Sequence, residues 1–340
     1  MNSIIWHMKS KQLYRVGLVA AAAAIVTSCS QEMPPHLRPL SKEAMHLLGT
    51  KGMSPRNDIF VRIFKTESEL EVWKRRDDGY FHHFKTYPIC NWSGKLGPKF
   101  KQGDKQSPEG FYTVSRGQMN PKSSFHLSFN LGFPNAYDRA LGRTGDFLMV
   151  HGDCRSAGCY AMTDALVEEI YALAREAFDG GQRKFQVHSF PFRMTAENMK
   201  RHRRHGAYNF WRQLKEGYDY FEVARKLPTI QMCGQRYLVN TRFVSGARKL
   251  DAAAPCPPYI KLPVERYTPP ENQELAEHVV VPGRKVRNLA REQSTSEKVR
   301  YAKRPLNTRP AETRLGLTRA QSPWFRLGSD GRSATSAFKQ

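Results

Sequence analysis

Between Phe147 and Gly181 the sequence leaves little freedom of fold. The apolar run Phe147 to Val150 leads straight into His151-Gly152-Asp153-Cys154-Arg155-Ser156-Ala157-Gly158-Cys159. A helix must begin almost at once, because Thr163 or Asp164 can cap the helically spaced Leu166, Ile170, Leu173 and Ala177, and Gly180-Gly181 stops it. One histidine and two cysteines are thereby confined to a strand-to-helix junction. Such a junction suits a nucleophile: unpaired N–H groups at a helix start lower a thiol pKa. A histidine can take the thiol proton, and consecutive backbone N–H groups can hold an oxyanion. Gly158, just before Cys159, supplies the positive φ or the close approach that a tight turn requires.

The flanking chain reads as strand-rich. Ile59, Val61 and Ile63 alternate with Phe60 and Arg62, Leu70 to Lys74 alternates again, and Asp77-Asp78-Gly79 supplies a turn before Tyr80 to Tyr87. Phe111 to Ser115, Phe125 to Phe129 and Lys184 to His188 are further short strands. Ala207 to Ala224 is a helix with Phe210, Leu214, Tyr218 and Phe221 on one face, and Ser41 to Leu48 is a short helical patch. Ser93 to Gly110, rich in Gly, Lys and Pro, reads as a long mobile loop. Lys200 to His205 reads as a solvated helical face. With 40% hydrophobic residues the body can bury a sizeable core, which excludes wholly disordered, collagen-like and polytopic membrane chains.

Lys9, Lys11 and Arg15 precede the apolar run Val16 to Val26, which is shorter than the roughly 20 residues a membrane-spanning helix needs. The layout is that of a secretory signal. Val26-Thr27-Ser28-Cys29 closes it in the manner of a bacterial lipobox, so Cys29 is expected to be acylated, with ordinary cleavage near Ser28 as the alternative. A periplasmic address with an outer-membrane lipid anchor follows. The formal net charge of +23 includes +10 between Val281 and Gln340. An excess of this size would fit a nucleic-acid partner in the cytoplasm. Outside it, no nucleic acid is expected, and the Pro-, Arg- and Ser-containing tail reads as a disordered envelope-binding segment. The expected organisation is a signal over 1–28, a linker over 29–57, a catalytic domain over 58–228, a Cys-bracketed extension over 229–260 and a basic tail over 261–340.

Five cysteines follow Cys29, and an odd number in an oxidising compartment leaves at least one thiol free. Cys233 and Cys256 bracket a short segment and suit a local disulfide; Cys90 and Cys154 are the weaker pair, by elimination. Cys154 could instead be a redox partner of Cys159 or a buried small residue. His151, Cys154 and Cys159 could also be read as metal ligands. They lack the further tight Cys/His pair that zinc requires, so no metal and no cofactor is expected.

At His151-Gly152 and Ser156-Ala157-Gly158-Cys159 the sequence resembles the L,D-transpeptidase catalytic (YkuD) domain family, and within it the YafK-like subgroup of murein enzymes. The resemblance extends over roughly Asp58 to Pro228, including Gly103-Asp104 and Pro108-Glu109-Gly110-Phe111-Tyr112. It implies a mainly β fold with flanking helices, a curved sheet or sandwich with the cysteine at its cleft. It also implies attack by Cys159 on the L-centre carbonyl of diaminopimelate in a peptidoglycan stem peptide, with His151 as general base and acid. Gly158, Cys159 and Tyr160 are the expected oxyanion donors, and Ser156 orients the turn. Two positions depart from the family motif: Ala157 stands where a histidine is usual and Ala161 where an arginine is usual. An amine would resolve the thioester into a cross-link; water would give hydrolysis, including release of a wall-linked lipoprotein. Arg155 could meet a stem carboxylate in place of the missing arginine, and Tyr112 could line the cleft. His126 reads as a core histidine. A reading of a different class is a non-catalytic peptidoglycan-binding envelope lipoprotein held by its basic tail.

Overall fold

The computed structural model describes residues 32–244, 246 and 250–269; Cys29, the apolar run before it and the tail after Val281 lie outside them. The hexapeptide Ile59–Phe64 (β1) is buried along its whole length, as a central strand covered on both faces must be. It pairs antiparallel with Glu69–Arg75 (β2), which pairs with Phe81–Pro88 (β3). On its other side β1 runs parallel to Lys184–Phe190 (β10), and β10 pairs antiparallel with Gly110–Ser115 (β5). The first sheet therefore has the order β3-β2-β1-β10-β5. A second sheet has the order β4-β9-β8-β7-β6, from Asn91–Trp92 (β4), Tyr160–Ala161 (β9), Met149–His151 (β8), Ser128–Asn130 (β7) and Met119–Asn120 (β6).

Alternation within β1 separates two cores. Ile59, Val61 and Ile63 face a cluster containing Phe129, Val150 and Tyr160 from the second sheet. The same cluster takes Val167, Ile170, Leu173 and Ala177 from the helix Asp164–Asp179, numbered α3 after Lys42–Thr50 (α1) and Ala136–Ala140 (α2). Phe60 and Phe64 point the other way. They meet Trp211, Leu214, Tyr218 and Phe221 of Tyr208–Ala224 (α5), which follows the short helix Ala196–Arg201 (α4). The expected mainly β architecture with helices packed outside is thus observed, and the fold has helix and sheet, sheet, and helix in successive layers.

Beyond α5, two hairpins pair Ile230–Cys233 (β11) with Arg236–Val239 (β12) and Thr241–Phe243 (β13) with Tyr259–Lys261 (β14), and Cys233 is bonded to Cys256. This extension packs on the domain through Tyr237, whose ring stacks 4.1 Å from Tyr137 and meets Phe111 edge-on at 4.9 Å. Residues 32–57, read from sequence as a linker, lie against α3: Arg38 pairs with Glu168 and Arg175 donates to the carbonyls of His36 and Arg38.

The segment 93–110, expected to be mobile, is held by a buried charge pair. Lys65 and Glu109 are both fully buried with Nζ 3.0 Å from Oε1. Lys65 also donates to the carbonyls of Lys95 (2.7 Å) and Ser107 (3.1 Å). Glu109 accepts from the Gly97 N–H (2.7 Å) and from the Trp211 indole (2.7 Å). Loss of periodicity in the sequence here reflects chain folded around an ion pair, not chain left in solvent. Lys200 to His205 is likewise more than a solvated face: His202 stacks on Phe192 and His205 on Trp211, at 4.4 and 4.3 Å.

Removing one member of a buried pair leaves an unpaired charge and costs about 3–5 kcal/mol. Glu109→Gln turns an amide donor toward either Trp211 or Lys65, so we expect a loss in that range by chemical denaturation. A change below about 1 kcal/mol would show that the pair does not hold the loop.

Candidate active site

The second sheet carries His151 and Cys159 on one face. β8 and β9 are parallel with Val150 opposite Tyr160 and His151 opposite Ala161. Registered partners point to the same face, and successive residues alternate. Val150 and Tyr160 therefore enter the core, both fully buried, while His151 shares the opposite face with Ala161 and with Cys159 just before β9. The Met149 N–H donates to the Cys159 sulfur at 3.4 Å, which fixes the thiol against β8 one alternation from His151.

The turn before Cys159 is tied down on its far side by hydroxyls. Ser107 and Ser156 both donate to the Cys159 carbonyl, at 3.0 and 2.8 Å, and Ser156 Oγ accepts from the Gly158 N–H at 3.4 Å. Gly158 has φ +128, a conformation open to glycine, and a Cβ there would lie 3.2 Å from Leu148. Gly152 is required for a different reason: a Cβ would stand 2.4 Å from the Asp164 carboxylate and 3.0 Å from the Phe125 carbonyl. Asp164 uses that proximity to accept from the Asp153 N–H at 2.9 Å. Cys154, next in the chain, is bonded to Cys90, which leaves Cys159 as the free thiol among the described residues.

His151 is buried, and its Nδ1 lies 2.5 Å from the Gly152 carbonyl. A carbonyl can only accept, so Nδ1 carries the proton and Nε2 presents its lone pair. The Phe125 ring covers the imidazole at 4.8 Å. Burial pushes the His151 pKa down, opposed by the Gly152 hydrogen bond and the Asp153 charge. Burial likewise pushes the Cys159 thiol up, opposed by the Met149 N–H and the Lys99 charge. Both shifts favour the uncharged forms, a thiol and a neutral imidazole on one face of the sheet. The helix start expected beside the thiol lies beyond β9, and α3 begins at Asp164 with its own cap from Thr163.

Residues 58–188 match the L,D-transpeptidase catalytic domain family, YkuD. The chain is 48% identical over 203 residues to YafK of Escherichia coli strain K12, described as a candidate L,D-transpeptidase; the match covers 59% of this chain and 79% of that protein. It belongs to the L,D-transpeptidase (YkuD) family. YafK of Escherichia coli O157:H7 matches to the same extent, 48% over 203 residues, with 59% and 79% of the two chains covered. The crystal structure of the helical cell shape determining protein Pgp2 from Campylobacter jejuni is 22% identical, with a TM-score of 0.31 over 45% of this chain and 55% of that one. This chain thus spans just over half of Pgp2.

At the two positions where the chain departs from the family motif, Ala157 is exposed and Ala161 is fully buried beside His151. Arg155 projects into solvent, pairs with Asp153 and lies over Phe125. Tyr112, expected to line the cleft, is a core residue, 2% exposed, whose hydroxyl donates to the Glu109 carbonyl at 3.1 Å. Its position on β5 opposite Val187 points the ring into the layer between the sheets. Tyr160 is also core, its hydroxyl within 2.7 Å of both the Pro108 carbonyl and Ser189 Oγ. His126 is half-buried and bonded to Glu168. Sequence reasoning misses Ser107 and Lys99, both on the 93–110 segment, and Phe125, on the loop between β6 and β7. Only the Pro108-Glu109-Gly110 motif could have pointed toward Ser107.

A thiol of raised pKa beside a histidine of lowered pKa predicts a definite alkylation profile. The iodoacetamide reaction of Cys159 should climb with pH to a midpoint above that of a free cysteine, about 8.5, with no reactive plateau below pH 7. A plateau at pH 5–7 would mean a resting thiolate–imidazolium pair.

Proposed function

We propose that this chain is a peptidoglycan L,D-transpeptidase-type cysteine enzyme that acts on diaminopimelate-containing stem peptides through a Cys159 thioester. The observation that carries the reading is the free thiol of Cys159 on the same sheet face as the Nε2 lone pair of His151. In the first half-reaction the Cys159 sulfur bonds to the L-centre carbonyl carbon of diaminopimelate, and the thiol proton passes to His151 Nε2. The tetrahedral oxyanion lies against the N–H groups of the turn Gly158, Cys159 and Tyr160. The carbon–nitrogen bond to terminal D-Ala then breaks, and His151 returns the proton to the departing amine. In the second half an amine of a neighbouring stem attacks the thioester, loses its proton to His151, and the thiol is restored.

The neutral resting pair suits this order of events. Proton transfer coincides with attack, so the charge separation is created only when the oxyanion donors can share it. The family assignment supplies the peptidoglycan context; the acceptor and the thioester are this proposal's own.

Incubation with purified sacculi, followed by mass spectrometry of released and cross-linked muropeptides, tests the reading. Cys159→Ala and His151→Ala should each lower product formation by at least about 10³-fold, and a thioester adduct should map to Cys159 in the parent chain. Products unchanged in Cys159→Ala would remove the nucleophile assignment, while new cross-links, trimmed stems and released lipoprotein distinguish amine from water as acceptor.

We further propose a periplasmic location with Cys29 acylated, on the strength of the charged start, the short apolar run and the Val26-Thr27-Ser28-Cys29 motif. In fractionated cells, Cys29→Ala should move the chain out of the outer-membrane fraction and abolish the acyl mass increment. Retention with no mass change would count against the anchor.

A further inference from the structure

Behind the nucleophile turn, on the other side of the strip 104–107, lies an open cavity of about 540 Å³. Its wall is formed by Lys95, Phe100, Arg143, His205 and Phe210, with Asp104 and Gln106 on the strip itself. The strip joins the cavity to the nucleophile: Ser107 holds the Cys159 carbonyl, and the Gln106 carbonyl lies 3.6 Å from where a Cβ on Gly158 would stand.

The polar groups facing this space divide into used and unused. Asp104 is saturated, accepting from the N–H groups of Phe100, Lys101 and Gln106 and from Lys99. The Gln106 amide is spent on the Lys95 N–H and on the carbonyls of Lys95 and Gly97. Arg143 gives one nitrogen to Asp138 at 2.8 Å, and its guanidinium lies 5.6 Å from the Phe100 ring centroid and 5.1 Å from that of Phe210. Lys95 and His205 have no carboxylate partner among the described residues, nor do the exposed Lys101, Lys105, Arg203 and Arg204 that neighbour the lining in sequence. His205 Nδ1 accepts from the Ala207 N–H at 3.1 Å, so its proton sits on Nε2 and that nitrogen is a donor. Phe100 is 63% exposed, an apolar surface beside the cations. Unpartnered donors next to an aromatic wall match a carboxylate carried on a short aliphatic stem.

We propose that this cavity is the subsite for a free carboxylate of the donor stem peptide. The inference rests on the transpeptidase reading above and names where that substrate is gripped. Lys95 and His205 donate to the carboxylate, Arg143 contributes its field from the floor, and Phe100 packs on the methylenes that carry it. These are positioning residues: they touch a part of the substrate that does not react.

Calorimetric titration of the full chain carrying Cys159→Ala with the tetrapeptide L-Ala-γ-D-Glu-diaminopimelate-D-Ala tests the subsite without turnover. Adding Lys95→Glu should weaken binding about tenfold or more, and His205→Ala several-fold, with the loss shrinking as salt is raised. A tetrapeptide whose D-Glu and diaminopimelate carboxylates are amidated should bind the parent weakly and lose nothing further in Lys95→Glu. Lys95 is exposed at the surface, so its substitution keeps the test valid if His205→Ala disturbs the stack on Trp211. Equal affinity in parent and Lys95→Glu, no binding to the parent, or equal losses for the free and amidated peptides would each overturn the subsite. Charge-dependent binding in a chain whose Cys159 parent makes no product would support the subsite and remove the transpeptidase reading instead.

Discussion

The fully buried pair of Lys65 and Glu109 is the constraint on which the rest of the site hangs. Desolvating two ions costs several kcal/mol each, and attraction alone rarely recovers it. Here the remaining hydrogen-bond capacity is filled as well: Lys65 donates to carbonyls of the 93–110 segment, and Glu109 takes the Gly97 N–H on one oxygen and the Trp211 indole on the other. The pair thus joins the end of β1, a segment without regular structure, and α5. An apolar replacement of both residues would leave the Gly97 and Trp211 donors buried without acceptors, so the usual exchange of a buried pair for hydrophobic packing is closed to this fold. Burial drives the Lys65 pKa down, and the Glu109 charge and hydrogen bond push it back up, so the cation depends on its partner.

From that anchor the path to the chemistry is short. Ser107 donates to the Cys159 carbonyl two residues before Glu109, and Lys99, held by Asp104 in the same segment, is the cation that acts on the thiol. Its field and the Met149 N–H oppose burial without overcoming it, since the thiol remains raised. A low-dielectric site that keeps Cys159 and His151 neutral at rest strengthens whatever interactions arise when they become charged. The loop is therefore an electrostatic part of the site as much as a mechanical one.

The strands and long helices were legible because their side chains repeat with a period, and Ile59 to Phe64 or Leu166 to Ala177 declare which face is buried. The turn between His151 and Cys159 was legible for a different reason: glycine, histidine and cysteine there satisfy backbone and chemical demands that few other residues meet. What could not be read is what comes together without a period. Two-residue strands such as Tyr160–Ala161 carry no pattern, yet they set the register of the site. Tyr112 looked like a cleft residue because it sits in the motif beside Glu109, whereas its β5 position turns it inward. The 93–110 segment looked mobile because its order comes from a lysine just after β1 and a tryptophan on α5, each distant in sequence.

His151 and Cys159 are held by different parts of the molecule. The cysteine hangs on the 93–110 segment through Ser107, while the histidine is capped by Phe125 and followed by a glycine fitted against Asp164 at the start of α3. The parallel register of β8 and β9 relates the two halves. A slip of one residue would turn every side chain of β9 to the opposite face, sending Cys159 into the core and Tyr160 out beside the histidine. Tyr160 opposes that slip, because its hydroxyl is committed to Pro108 and Ser189 deep between the sheets. The Cys90–Cys154 bond acts in the same sense: Cys90 donates its N–H to the Ala161 carbonyl, so the bond ties the outer edge of β9 to the turn that follows His151. The geometry of the site thus depends on a register secured by a buried tyrosine hydroxyl and a disulfide.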